Sequence, residues 1–155
     1  PIDVAQQAIA ETGPTAQAKG VVLTLQSMPW RGEAPQADAV QWRRALINLL
    51  TNAIKFSPPG GEVTIGIDQD EAGLRMWVQD QGPGIDEGDL ARLFRRYQRL
   101  DSDPQLRMAA GVGLGLVYVD TVTRRHGGQV EVQSTRGQGS RFTMTLPQHG
   151  PTPTA

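Results

Sequence analysis

Residues 48–60 read NLLTNAIKFSPPG. The Leu, Ile and Ala content points to a helix turned toward a core, yet Asn48 and Asn52 stand in it one turn apart, and Asn is a mediocre helix former. Projection at 100° per residue places Trp42, Leu46, Leu49, Leu50 and Ala53 on one stripe. Gln41, Arg44, Asn48, Asn52 and Lys55 fall on another face. The asparagines therefore lie beside the core stripe. The spacing predicts a helix from Ala39 to about Phe56, with Asp38 as its N-cap.

Outward from this helix the pattern changes to strict alternation. VVLTLQS (21–27), EVTIGID (62–68) and LRMWVQ (74–79) each carry apolar residues at every second position, the mark of half-buried strands. QDEAG joins the second and third as a hairpin, and TRGQG joins QVEVQS to SRFTMTLP as another. IDVAQQAIAETG predicts a short helix closed by Gly13 and Pro14, and a second long helix is expected from about Leu114 to His126, ended by Gly127 and Gly128. Strands with helices on one face make an α+β, two-layer sandwich.

Composition excludes several classes. The chain has 155 residues, 38% hydrophobic and 20% charged, with a net charge of −1 and no cysteine. That length suffices for one ordinary core without staples. Thiolate metal sites and disulfides are ruled out, no apolar run is long enough for a transmembrane helix, and the charge balance gives no nucleic-acid footprint.

Two glycine-bearing loops carry chemistry. DQGPGI (80–85) follows a predicted strand, so a sharp turn brings backbone close to any ligand while Asp80 offers an acceptor suited to an exocyclic amine such as that of adenine. GVGLGL (111–116) opens the last helix, where exposed N–H groups and the helix dipole favour phosphate. The lysine-bearing P-loop, GxxxxGK[ST], is absent.

In this order the segments resemble the ATP-binding domain of sensor histidine kinases, within the superfamily that includes gyrase and Hsp90. NLLTNAIKFSP is similar to its N box, DQGPGI to its first glycine box, LFRRYQRL (93–100) to its F box and GVGLGL to its second glycine box. The resemblance implies a Bergerat-type fold, a mixed sheet covered on one face by helices, with ATP held under a lid that here spans Arg95–Ala110. It implies that Asn52 ligates the Mg2+ bridging the ATP phosphates, Asn48 lines the phosphate end, Lys55 offers charge to the outer phosphates and Phe56 stacks on the base. Asp80, Gly82, Gly84 and Ile85 would hold the base, and Gly111, Val112, Gly113, Leu114, Gly115 and Leu116 the phosphates. Arg99 matches an arginine that reaches the phosphates in some relatives. ATP-hydrolysing members place a glutamate where this chain has Asn48, and without that general base the resemblance implies phosphoryl transfer rather than hydrolysis.

The expected acceptor is a histidine on a dimerisation domain of the same parent protein, followed by a response regulator. Only His126 and His149 occur here. His126 reads as a helix-end carbonyl cap and His149 lies in a Pro-rich tail, so the acceptor is expected elsewhere. Residues 1–13 are then a trailing connection, 14–147 the kinase domain and 148–155 a C-terminal tail. Such a fragment would be monomeric and cytoplasmic, from a homodimeric and in some cases membrane-anchored parent. An anti-sigma-type protein serine kinase and a degenerate, non-catalytic nucleotide-binding module remain open at this point.

Overall fold

A computed structural model describes residues 1–29, 35–84 and 113–148. Helix α1 (Ile2–Lys19) leads into strand β1 (Val22–Ser27), helix α2 (Ala39–Phe56), strands β2 (Glu62–Asp70) and β3 (Gly73–Gln79), helix α3 (Gly113–Arg125), and strands β4 (Gln129–Thr135) and β5 (Gly139–Pro147). The strands form one sheet in the order β1-β2-β3-β5-β4. β1 pairs with β2 in parallel and every other pair is antiparallel, so the sheet is mixed as expected.

Register explains the layering. Leu25, Ile65, Val78, Phe142 and Val132 pair in one row across all five strands, and all are apolar. Side chains on one face of a pleated sheet repeat every second residue, so the alternation read from sequence becomes one apolar surface. The helices cover it. α2 packs between α1 and α3 and reaches both β2 and β3. Its Leu46, Leu49, Leu50 and Ile54 are fully enclosed, so truncating any of them to Ala should cost about 2–5 kcal/mol. Trp42 is buried on the same stripe and donates its indole N–H to Met76 Sδ at 2.8 Å, fastening α2 to β3.

The other sheet face carries Trp77, whose ring occupies the space that a side chain at Gly66 would fill. The Arg141 guanidinium stacks on it, 3.9 Å from the ring centroid.

Both long helices form where the capping chemistry places them. Asp38 Oδ1 accepts from Gln41 N at 3.0 Å as the N-cap of α2. At the far end of α3, His126 Nδ1 lies 2.7 Å from Val122 O. Gly127 adopts φ 80° and donates to Arg124 O.

One expectation is corrected. Gly13 and Pro14 do not close α1, which continues to Lys19 with Pro14 inside it. Pro14 removes one helical donor, but Ala5, Ala8, Thr12 and Ala16 form a buried stripe that packs along α2, and this packing overrides local propensity. The true stop is Gly20 at φ 78°, where Gly20 N donates to Gln17 O and Val21 N to Ala16 O. The boundary expected between residues 13 and 14 therefore falls within a continuous helix. None of the described helices is long and apolar enough to cross a membrane.

Candidate functional site

Three segments converge at one edge of the helical layer. The first is the C-terminal half of α2. Asn48 and Asn52 are half-buried while Lys55 and Phe56 are exposed. Asn52 Nδ2 is buried without a hydrogen-bond partner. A buried donor left unpaired costs about 1–3 kcal/mol, so this atom is one that a bound group would satisfy. Lys55 Nζ stands 5.8 Å from the Phe56 ring centroid, and Phe56 is 43% exposed, a large aromatic presented to solvent at the helix end.

The second segment is the loop after β3. Asp80 is buried, and its Oδ1 accepts from Gly82 N at 2.9 Å and from Ser140 N at 3.2 Å. Both of these bonds fall on Oδ1. Burial pushes the Asp80 carboxyl above its ordinary range, and the two backbone donors oppose that shift by favouring the charged form. The loop itself is held by close backbone packing. A Cβ at Gly82 would lie 2.8 Å from Phe56 O, and one at Gly84, which has φ 75°, would lie 2.1 Å from Thr135 O. Gly137 N donates to Pro83 O at 2.6 Å. Gln81 Oε1 accepts from Glu62 N at 2.9 Å, which ties this loop to the start of β2.

The third segment is the start of α3. A Cβ at Gly115 would lie 3.5 Å from Asn48 Cβ and 3.9 Å from Asn48 Oδ1. Gly115 thus rests on the polar face of α2, with Asn48 beneath it. Leu116 is 1% exposed and belongs to the core cluster. Gly113 and Leu114 are described by backbone alone. Arg99, Ile85, Gly111 and Val112, together with the F box and the expected lid, lie outside the described residues.

Asn48, Asn52, Lys55, Phe56, Asp80, Gly82, Gly84 and Gly115 thus come from three segments, with α2 in contact with the loop at Gly82 and with α3 at Gly115. Sequence reasoning missed two contributors. Ser140 supplies a backbone donor to Asp80 Oδ1 while its hydroxyl lies 2.9 Å from Ser134 Oγ. Gly139, at φ 90°, lets β5 approach so closely that a Cβ there would lie 2.1 Å from Asp80 O. The available signal was GQGS (137–140), whose second glycine exceeds what a simple hairpin turn needs.

Could these residues hold a metal? Among the described residues no group of three or more His, Cys, Asp and Glu is placed to do so. Asn52 offers one neutral carboxamide oxygen, which suits a hard cation that draws its other ligands from phosphates and water.

The expected role of His126 agrees with its geometry. Its Nδ1 faces Val122 O, its Nε2 accepts from Asp38 N at 3.0 Å, and its ring meets Trp42 edge-on at 5.4 Å. Both nitrogens are engaged in structure.

Residues 37–150 match the family described as histidine kinase-, DNA gyrase B- and HSP90-like ATPases. The chain belongs to that family. Its relatives are sensor histidine kinases. The chain is 40% identical over 113 residues to the circadian input-output histidine kinase CikA of Synechococcus elongatus, covering 73% of this chain and 15% of CikA. The solved mycobacterial sensor histidine kinase MprB superposes with a TM-score of 0.74 at 28% identity, covering 96% of this chain and 95% of that one. The structure of full-length ShkA in complex with AMPPNP superposes with a TM-score of 0.73 at 27% identity, covering 99% of this chain and 30% of that one. CikA and ShkA are therefore much longer than the region they share with this chain.

Proposed function

We propose that this chain is the ATP-binding catalytic domain of a two-component sensor histidine kinase. It would deliver the γ-phosphoryl group of ATP to a histidine on a dimerisation domain of the parent protein, from which a response regulator would receive it. The observation that carries this reading is Asp80. A buried carboxylate with Oδ1 tied to two backbone N–H groups is held in one orientation, and one of those donors, Gly82, packs against the carbonyl of Phe56, the exposed aromatic that ends α2. That pairing suits a base with an exocyclic amine. The AMPPNP complex of ShkA supports the same reading.

At the phosphate end, Asn52 would hold Mg2+ through its carboxamide oxygen. When bound with the nucleotide, that ion would neutralise charge on the phosphates. Lys55 sets a point charge beside the outer phosphates, and Asn48 supports them from one turn deeper without offering a carboxylate that could activate water. With the water-activating base missing, the bound nucleotide is kept for the histidine acceptor. Both nitrogens of His126 are engaged in structure, which supports an acceptor on another domain. The relatives named above favour this reading over a serine kinase or a non-catalytic module. The site faces the cytoplasm, where ATP and response regulators are found.

Calorimetric titration with Mg-ATP and Mg-GTP, followed by transfer to an added histidine-bearing dimerisation domain, tests the proposal. Saturable, adenine-selective binding and acid-labile labelling of the acceptor histidine are expected. Equal affinity for the two nucleotides, or no labelling, would overturn it.

A further inference from the structure

The last turn of a helix leaves four backbone carbonyls without helical donors. In α2 these belong to Ala53, Ile54, Lys55 and Phe56, and Lys55 and Phe56 are the residues that face the ligand in the reading above. Ala53 O is taken by Ser57 N at 3.0 Å. Phe56 O is pressed against the backbone of Gly82. The remaining two are met from a different element. Lys19, the last residue of α1, donates Nζ to Ile54 O at 2.8 Å and to Lys55 O at 2.6 Å.

The anchor of that lysine is itself fixed. Gly60 N donates to Gly20 O at 2.8 Å and Val22 N to Gly61 O at 3.0 Å, so the turn after α1 is laced to the turn after α2 by backbone alone. Those bonds do not involve the Lys19 side chain and survive its removal. What its removal frees is the final turn of α2, whose two carbonyls would lose their donor and the cation that complements the helix dipole. Frayed, that turn no longer holds Phe56 and Lys55 in one direction.

We propose that Lys19 is a positioning residue for nucleotide binding, acting from outside the site through the Ile54 and Lys55 carbonyls to fix the directions of Lys55 and Phe56. The proposal rests on the nucleotide-binding reading. Lys19 is only half-buried and is not one of the buried core residues, so affinity should suffer more than folding.

The test is ATP titration of the 155-residue chain at a temperature where circular dichroism shows each variant fully folded. Lys19→Met should raise the Kd about fivefold to tenfold, the scale of lost charge-assisted hydrogen bonds at a helix end. Lys19→Arg, which keeps the charge and the donors, should restore most of it. In a Lys55→Ala/Phe56→Ala background the same Lys19→Met change should alter the Kd less than about twofold, because the groups it positions are gone. Should the Met variant not fold, Lys19→Gln is read in the same way. Unchanged affinity in Lys19→Met, or an equal loss with and without Lys55 and Phe56, overturns the positioning role while leaving nucleotide binding intact. Failure of the unaltered chain to bind ATP overturns the nucleotide-binding reading and this proposal with it.

Discussion

The two ends of the candidate site are built differently. At the base end, Asp80, Gly82, Gly84, Gly139 and Ser140 are joined by backbone hydrogen bonds and by approaches too close for any Cβ. At the phosphate end, Asn52 keeps a buried amide without a partner and Lys55 reaches into solvent. One end is closed by bonds within the protein, and the other leaves an amide donor unpaired. Preorganisation lowers the ordering cost of binding, so the base end should set selectivity. On the reading proposed above, the other end offers an unpaired amide donor and an exposed ammonium to the phosphates, so it should set the reaction.

The sharpest way to break this contrast is Asn52→Ala. Transfer to an acceptor domain should fall by about 10³-fold or more, the scale of several kcal/mol of charge neutralisation at the phosphates. The melting temperature should stay level or rise, because an unpaired buried amide is removed. A large fall in melting temperature would show that Asn52 is structural. Gly84→Val tests the other end and should act on the fold. A side chain at φ 75° meeting Thr135 O combines strain and clash, at a cost of about 3 kcal/mol or more, read by denaturant unfolding.

Asp80→Asn should separate selectivity from stability. With Oδ1 still accepting from Gly82 and Ser140, the amide would present its NH2 to an exocyclic amine. ATP affinity should fall about tenfold to a hundredfold, and GTP affinity much less. The carboxyl pKa is raised in the folded state chiefly by burial. Its native environment thus favours the protonated form, and the stability this contributes is present below the unfolded pKa and lost as pH rises through the folded one. Asn cannot ionise, so the variant should be the more stable protein near pH 7, and its stability should change less than that of the parent chain across the acidic range. A thermal melt series against pH checks both.

Much of this was legible in sequence because the signals were local. The α2 limits followed from Asp38 and the apolar stripe, the strands from alternation, and the two glycine segments from their composition. Gly13 and Pro14 misled because their local preference was outweighed by Ala5, Ala8, Thr12 and Ala16 packing on α2, a contact no local rule reveals. Ser140 and Lys19 were missed for a related reason. Each contact joins distant segments: Ser140 N donates to the Asp80 carboxylate 60 residues away, and Lys19 Nζ to the Ile54 carbonyl 35 residues away.

The smallest effect concerns Asn48, and it asks whether the phosphate end withholds hydrolysis by lacking one group or by geometry. Asn48 lies against the Gly115 backbone, so a glutamate there has room only if its carboxylate extends toward the ligand rather than toward α3. General-base catalysis contributes about 10²–10⁴-fold in a tuned site, and an untuned glutamate should supply a small part of it. Asn48→Glu should therefore raise phosphate release from ATP a few-fold above the parent chain, measured by continuous phosphate assay with Asn48→Gln as the size control. A rise in the Glu variant alone places the barrier to hydrolysis in the missing base. No rise would place it in the positioning of water, a property of the whole phosphate end that a single side chain does not supply.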